Sequence, residues 1–318
     1  MKNLIYNAKL ITSARIIDNG YVIYEDGKIT AYGADFDAQN FDGNKIDANG
    51  KYLSPGFIDI HCHGGGDSDF MDGTFDAYIT AASLHSKYGT TAIMPTLTTG
   101  PDEDMINSFK IFHQAKNSEY NGAKFLGIHM EGPYFNPAQA GAQDPRYLRN
   151  PQPEDYMEIL SRSSNIARWS FSPELEGAPE FAAELSKRGI IAAAGHTDAS
   201  FEQCDEAFRN GCSLITHFYS CISSIKRNLG YRTAGVMEYG YYQDGMAVEI
   251  IADGHHVPSS LLHLIVKVKG LDNVVLVTDS MRGAGMGEGP SILGGLADGQ
   301  ECIIEGGVAR LMDRSGFA

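Results

Sequence analysis

From Pro55 onward, the chain alternates short apolar runs with longer segments of mixed polarity. Apolar runs of this length, closed by Gly, Thr, Pro or an aromatic residue, are typical of buried parallel strands. We count eight of them, at 57–63, 91–97, 125–131, 167–172, 190–196, 213–219, 247–253 and 273–279. Eight strands that alternate with helices predict an α/β fold of the (β/α)8 TIM-type barrel class.

The first 54 residues have a different pattern of short strands and turns. Strands are predicted at 4–12, at 14–25 with a break at Asn19-Gly20, and at 28–32 after the turn Asp26-Gly27. This pattern predicts the N-terminal part of a small β-sandwich. We therefore place one domain at 1–54 and the barrel at 55–318.

The end of the chain departs from a complete barrel. A Gly-rich loop at 280–290 follows the eighth strand, and 291–313 reads as a hairpin with Glu305-Gly306-Gly307 at its turn. A (β/α)8 barrel has a helix after its last strand, and a half-sandwich has edges that need partner strands. We therefore expect the C-terminal portion to be truncated and the barrel to be incomplete after strand eight.

Composition narrows the class of protein. The 318 residues are 43% hydrophobic, enough for a large barrel core with a satellite domain. A formal net charge of -15 disfavours non-specific attraction to nucleic acid or to anionic membranes. The N-terminus lacks an apolar leader, no membrane-length apolar stretch occurs, and the five cysteines lack disulfide or C-x-x-C spacing. These features predict a soluble, cytoplasmic protein.

Potential metal ligands recur where the predicted strands end. His61 and His63 share one face of the first strand because side chains alternate along a strand, and Glu131, His196 and His217 close the third, fifth and sixth. Strand ends meet at the active face of such a barrel. Imidazole and carboxylate together suit a divalent metal, with Zn as the first choice and Fe, Mn or Co as alternatives. One ion held by Glu131, His196 and His217, or two ions bridged by Glu131, both remain open.

A divalent metal lowers the pKa of a bound water to about 7 and so supplies hydroxide for hydrolysis. Hydrolysis of an amide also needs a group that takes a proton from the water and returns it to the departing nitrogen. Asp279 ends the eighth strand, where its carboxylate would face the metal and act as the general acid and base. His256, after the seventh strand, is placed to bind a substrate oxygen. His129 shares a face with Glu131 and is expected to support the ligands, whereas a surface role is expected for three histidines on helical segments, namely His85, His113 and His263.

The ordered motifs resemble the N-acetylglucosamine-6-phosphate deacetylases of the amidohydrolase superfamily. The residues that carry this resemblance are Pro55-Gly56-Phe57-Ile58-Asp59-Ile60-His61-Cys62-His63-Gly64, His129-Met130-Glu131-Gly132-Pro133, Gly195-His196-Thr197, Thr216-His217, Ile251-Ala252-Asp253-Gly254-His255-His256-Val257 and Val277-Thr278-Asp279. The resemblance implies a homodimer that splits N-acetylglucosamine 6-phosphate into glucosamine 6-phosphate and acetate. It also implies that Glu131, His196 and His217 are the principal ligands and that His61 and His63 form a second-metal pair retained by some members.

The same resemblance implies a set of substrate-binding residues. His256 contacts the substrate, and Gln143, next to Ala142, stands where some members have a histidine that hydrogen-bonds the substrate carbonyl. Ser220 begins a segment that differs from the family pattern. Arg227 belongs to a cationic cluster with Lys226 and Arg232 that is suited to a phosphate and that in the family can reach across the dimer interface.

Two other functions remain open at this point. Ser220 and Gln143 favour an amidohydrolase that acts on another N-acyl sugar phosphate, an N-acyl amino acid or a cyclic amide. The expected truncation favours a non-catalytic, amidohydrolase-like protein. Five convergent metal ligands argue against the non-catalytic alternative, because a binding module has little physical need for them.

Overall fold

The structure is a computed structural model that describes residues 1–318 apart from the side chain of Asn228. The chain forms two compact units, Met1–Phe57 and Ile58–Ala318. The strands are β1 (Lys2–Ile11), β2 (Ile16–Glu25), β3 (Lys28–Ala34), β4 (Asn44–Asp47), β5 (Tyr52–Leu53), β6 (Phe57–Cys62), β7 (Thr90–Leu97), β8 (Lys124–Phe125), β9 (Ile128–Glu131), β10 (Ile166–Phe171), β11 (Ile191–Ala194), β12 (Cys212–Ile215), β13 (Lys226–Asn228), β14 (Tyr231–Thr233), β15 (Ala247–Ile251), β16 (Val274–Val277), β17 (Gly289–Leu293), β18 (Gln300–Glu305) and β19 (Val308–Leu311). The helices are α1 (Phe75–Lys87), α2 (Asp102–Lys116), α3 (Pro153–Arg162), α4 (Ala178–Lys187), α5 (Phe201–Arg209), α6 (Val236–Tyr242) and α7 (Ser259–Lys269).

The first unit is a five-stranded sheet in the order β3-β2-β1-β4, with β5 also paired to β1. The β2–β3 hairpin turns at Asp26 and Gly27, which both have positive φ, as a two-residue hairpin turn requires. At the predicted break, Gly20 approaches β1 so closely that a Cβ there would lie 2.6 Å from the Cβ of Leu10. The register between β1 and β2 shifts at this point.

The second unit is built on parallel strands in the order β16-β15-β12-β11-β10-β9-β7-β6. The two ends of this order meet, because Cys62 and Ser280 form a parallel bridge and the amide of Asp279 donates to the carbonyl of His61 at 2.9 Å. The eight predicted strands are therefore all present, and the predicted (β/α)8 barrel class with an additional β domain is confirmed. Among the described residues, none of the helices is both long and apolar enough to cross a membrane.

Two segments differ in detail from the pattern-based expectation. The third apolar run is divided into β8 and β9 at Gly127, where a Cβ would lie 2.4 Å from the Cβ of Ala167 in β10. Near the end of the chain, β17, β18 and β19 form a three-stranded antiparallel sheet rather than a single hairpin. The turn at Gly306 and Gly307 connects the last two of these strands.

Aromatic side chains pack around β10 of the barrel. Trp169 of β10 is fully buried, stacks on Tyr134 with ring centroids 5.6 Å apart, and meets Phe181 of α4 edge-on at 5.1 Å. Its indole nitrogen donates to the carbonyl of Gly132 at 2.8 Å. This packing fixes β10 against the loop that directly follows Glu131.

Candidate metal centre

The candidate ligands lie at or just beyond the carboxyl ends of the barrel strands. His61 lies in β6 with His63 just after it, and Glu131 is the last residue of β9. The others follow β11, β12 and β16, and all three have left-handed backbones: φ is 46° at His196, 30° at His217 and 48° at Asp279. A non-glycine residue in this region costs about 1–3 kcal/mol and persists where the surroundings enforce it, as at functional sites.

Glu131, His196 and His217 form what we call the first ligand group. The Nε2 atoms of the two histidines lie 3.1 Å apart, and each is 3.3 Å from Oε1 of Glu131. All three side chains are buried. Tetrahedral zinc with bonds of 2.0–2.1 Å places its ligand atoms about 3.3 Å apart, so this group fits such an ion.

His61, His63 and Asp279 form the second ligand group, directly beside the first. Oδ1 of Asp279 is 3.2 Å from Nε2 of both histidines. Glu131 faces this group as well, with Oε1 3.3 Å from Nε2 of His61 and Oε2 3.2 Å from Nε2 of His63. Although Nε2 of His61 lies close to these carboxylate oxygens, it is buried and forms no hydrogen bond within the described part of the chain. Because Glu131 serves both groups, the arrangement suits two ions as well as one.

The rings of the first group are oriented by backbone carbonyls. Nδ1 of His196 is 2.9 Å from the carbonyl of Gln139, and Nδ1 of His217 is 3.2 Å from that of Ser220. Donation through Nδ1 leaves the Nε2 lone pair free to bind a metal, which is the usual arrangement for a histidine ligand. Both rings are therefore held with Nε2 directed at Glu131.

The electrostatics of the centre are those of a cation site. Burial alone would lower the pKa of His61, but the carboxylates of Asp279 and Glu131 raise it to about 9. The pKa of His196 likewise rises to about 10 against its burial, through Cys221 and Glu131, and that of His63 lies well above its usual value. Burial opposes ionisation of Glu131, yet the nearby histidines hold its pKa well below the usual range. The metal-free protein thus holds protons where a divalent cation would bind.

Above the ligands lies a pocket with a cavity volume of about 400 Å³. Its lining includes most of the residues that the sequence nominates: His63, Glu131, Ala142, Gln143, His196, His217, Ser220, His256 and Asp279. His61 lies beneath this surface and is fully buried. Residues 315–318 line another part of the wall. The pocket brings the candidate base, ligands and substrate contacts into one space.

Gln143 is more constrained than the sequence suggests. Its side-chain oxygen accepts from the Thr98 hydroxyl and the Thr99 amide, both at 3.0 Å. Its side-chain nitrogen donates to Oε2 of Glu131 at 2.9 Å. The amide therefore orients Glu131, and this contact occupies one of its two N–H groups.

His256 and Arg227 occupy contrasting positions. Nδ1 of His256 lies 2.7 Å from Oδ2 of Asp253, so the aspartate directs the ring, whose centroid is 4.4 Å from that of Phe317. Arg227 lies on the exposed β13–β14 hairpin opposite Arg232, and it is not among the residues that line the pocket of its own chain.

The structure also reveals residues that the sequence interpretation missed. Glu249 in β15 and Arg168 in β10 are completely buried and form an ion pair beneath His61. A charged residue in the middle of an apolar parallel strand was the available signal, because such a charge needs a partner. Asp59 accepts from the hydroxyl of Thr278 at 2.6 Å and so supports the residue before Asp279.

The surface role expected of His85 is wrong. Its ring is buried, and Nε2 lies 3.1 Å from both the Cys62 sulfur and the Ser280 hydroxyl and 3.0 Å from the carbonyl of Gly64. His85 lies on the inner face of α1, where it joins the loops after β6 and β16. His129 is also buried, between Thr96 and Ser170, with its ring centroid 4.6 Å from that of His61.

Comparison with known proteins agrees with this geometry. The Amidohydrolase family profile matches residues 52–297. The N-acetylglucosamine-6-phosphate deacetylase of Bacillus subtilis is 32% identical over 314 residues, which cover 98% of this chain and 77% of that protein. An N-acetylgalactosamine-6-phosphate deacetylase of Escherichia coli O157:H7 is 28% identical over 98% of this chain and 78% of its own length.

A solved structure gives the same result. A variant of the Mycobacterium smegmatis N-acetyl-D-glucosamine-6-phosphate deacetylase, in complex with N-acetyl-D-glucosamine-6-phosphate, superposes with a TM-score of 0.88 at 26% sequence identity. The match covers 100% of this chain and 80% of that one. The chain belongs to the amidohydrolase family, and within it to the N-acetylglucosamine-6-phosphate deacetylases.

Proposed function

We propose that this protein hydrolyses the acetamide of N-acetylglucosamine 6-phosphate to glucosamine 6-phosphate and acetate. The observation that carries this proposal is the convergence of Glu131, His196, His217 and Asp279 at one pocket of a chain from the deacetylase family. A pocket of about 400 Å³ is within the usual range for a small-molecule site.

The proposed cofactor is zinc, as one or two ions. Glu131, His196 and His217 would hold the first ion, and His61, His63 and Asp279 the second, with Glu131 shared between them. Such an ion lowers the pKa of a bound water to about 7 and polarises a carbonyl oxygen.

Asp279 moves the proton in the proposed reaction. Burial opposes its ionisation, but His61 and His63 hold its pKa well below the usual range, so it is a carboxylate at neutral pH. It accepts a proton as the water oxygen bonds to the acetamide carbon. It then returns the proton to the sugar nitrogen as the C–N bond breaks, and acetate and the free amine leave.

The remaining residues bind and orient the substrate. Gln143, Ala142, Ser220 and His256 line the pocket, and His256, directed by Asp253, is suited to a sugar or carbonyl oxygen. For the phosphate we propose Arg227 from the second protomer of a cytoplasmic homodimer, because Arg227 is exposed on a hairpin and lies outside the lining of its own pocket.

A second candidate substrate is N-acetylgalactosamine 6-phosphate. It is favoured by the likeness to the Escherichia coli protein of that name. The two sugars differ only in the orientation of one hydroxyl, so the chemistry at the acetamide would be the same.

Acetate release tests the proposal. The zinc-loaded protein is incubated with N-acetylglucosamine 6-phosphate, its galacto epimer, unphosphorylated N-acetylglucosamine and N-acetyl amino acids, with the Asp279→Asn variant as the control for contaminating activity. We expect the highest kcat/KM for the gluco phosphate. Faster turnover of the galacto phosphate would assign the second candidate. Turnover of N-acetyl amino acids alone would exclude both.

A further inference from the structure

Glu249 is a buried carboxylate that the proposed reaction does not use. It lies in the middle of β15, directly beneath the metal centre, and both Glu249 and its partner Arg168 have no exposed surface. Removing one partner of such a pair strongly destabilises the folded protein, yet replacing both partners by apolar residues of similar volume often leaves the stability unchanged or increases it. Its presence under the ligands therefore points to a role other than stability.

The two oxygens of Glu249 have different partners. Oε1 accepts from Nη1 of Arg168 in a short contact. Oε2 is 3.3 Å from Nδ1 of His61 and accepts from the backbone amide of His217 at 3.2 Å. One carboxylate oxygen thus touches the ring of a second-group ligand and the backbone of a first-group ligand.

Arg168 fixes the carboxylate in this position. Its guanidinium also donates to the carbonyl of Ile60 at 3.0 Å and to the hydroxyl of Thr216 at 2.9 Å. Ile60 and Thr216 directly precede His61 and His217 in the chain. The ion pair therefore braces β6 and β12 at the residues next to the ligands.

We propose that Glu249 is a positioning residue that holds His61 with Nδ1 as the donor and Nε2 free for a metal, and that it thereby sets the affinity of the second metal position. The inference rests on the proposed function only in requiring that the centre binds metal.

The other ligand of that position shows why Glu249 matters. Nδ1 of His63 is buried and has no hydrogen-bond partner among the described residues. His61 is therefore the only imidazole of the second ligand group whose distal nitrogen is held within the described structure. A carboxylate partner also increases the basicity of the ring more than a backbone carbonyl does, and losing such a partner typically costs 10–100-fold in metal affinity.

The test measures zinc binding in the Glu249→Gln variant by titration against a chromophoric chelator, with metal content checked by elemental analysis. We expect the second zinc to bind 10–100-fold more weakly and the first to bind as in the wild type. The matched control is Glu184→Gln, which breaks another carboxylate–arginine ion pair, with Arg188 at the C-terminal end of α4, among residues that do not line the pocket. Two tightly bound zinc ions in Glu249→Gln, or equal losses in the control, would overturn the proposal.

A second variant addresses the unpaired arginine that Glu249→Gln leaves in the core. Arg168→Met combined with Glu249→Met removes both charges and leaves no acceptor at position 249 for Nδ1 of His61, and circular dichroism reports whether it folds. The same selective loss of the second zinc is expected. If this double variant folds and binds two zinc ions as tightly as the wild type, Glu249 has no positioning role.

The wild-type protein offers a test that does not depend on folding of a variant. With ¹⁵N-labelled histidine and bound zinc, we expect the His61 ring to carry its proton on Nδ1, coupled to a metal-bound Nε2. A His61 ring with the proton on Nε2 would contradict the proposal. These measurements need no substrate, so a protein that binds zinc as predicted but releases no acetate would refute the proposed function and leave this inference intact.

Discussion

The two ligand groups of the metal centre are built in different ways. In the first, His196 and His217 are oriented by backbone carbonyls, which no side-chain substitution can remove directly. In the second, His61 depends on the side chain of Glu249, and Asp279 is both a ligand candidate and the proposed base. Glu131 is a candidate ligand in both positions, because its carboxylate faces the histidines of both groups.

The two arrangements would give one site a firmly held metal position beside a second position that single substitutions can alter. Support from the backbone makes the ring orientation of His196 and His217 independent of any single neighbouring side chain. Support from Glu249 and Asp279 makes the second position sensitive to single substitutions. We therefore expect the first position to fill at lower metal concentration than the second.

The largest effect is expected for Glu131→Gln, because this residue is shared. Both positions should lose zinc, and kcat/KM should fall by about 10⁴-fold or more, since the nucleophilic water and the polarised carbonyl are lost together. Zinc content and acetate release measure this directly. Glu119→Gln, at an exposed position, is the control and should match the wild type. Retention of either zinc by Glu131→Gln would mean that the carboxylate is not shared.

Asp279→Asn should separate chemistry from binding at the first position. We expect kcat to fall by about 10²–10⁴-fold because the general acid and base is lost. Since Oδ1 of Asp279 lies 3.2 Å from Nε2 of both histidines of the second group, the zinc affinity of the second position should also fall, whereas zinc should stay bound at the first position. The measurements are kcat at saturating substrate and zinc stoichiometry. Unchanged turnover would require another residue to move the proton.

Gln143→Leu should have a smaller effect, on both positions at once. The variant removes the N–H that donates to Oε2 of Glu131 while keeping a similar volume. Loss of such an orienting partner should weaken zinc binding by about 10–100-fold. A chelator titration gives the change, and Gln139→Leu is a control because its side chain donates to Asp198 and not to Glu131, while its backbone carbonyl stays in place. Unchanged zinc affinity would show that Glu131 is oriented without Gln143.

Much of this centre could be predicted from sequence, because strand ends are a strong constraint. Once eight apolar runs predict a barrel, residues at their carboxyl ends must lie at one face, which brings together Glu131, His196, His217 and Asp279. This prediction did not require the hydrogen-bonding register between neighbouring strands. The short β13–β14 hairpin that carries Arg227 has no such constraint, and its position relative to the pocket could not be derived.

The supporting residues were harder to predict because they lie in the interior. Glu249 and Arg168 are single charges within apolar strands, and the sequence does not state which of eight strand centres face each other. His85 shows the same limit for a helix. Helical periodicity places it on a face of α1, but only the fold shows that this face meets Cys62 and Ser280.

The smallest expected effect is a pH dependence that distinguishes the metal-free centre from the loaded one. His61 and His196 have pKa values raised to about 9 and about 10 against 6.5 in the unfolded chain. Their stabilising contribution is therefore complete below pH 6.5 and is lost as the pH rises towards 9–10. Zinc replaces these protons, so its stabilising effect should grow over the same interval.

We expect the Tm of the chelator-treated protein to fall between pH 6.5 and 9. The difference between this Tm and the Tm of the zinc-loaded protein should widen over the same range. A metal-free Tm that rises over this range would show that the ligand histidines are neutral in the metal-free protein, and that protons do not compete with zinc for the centre.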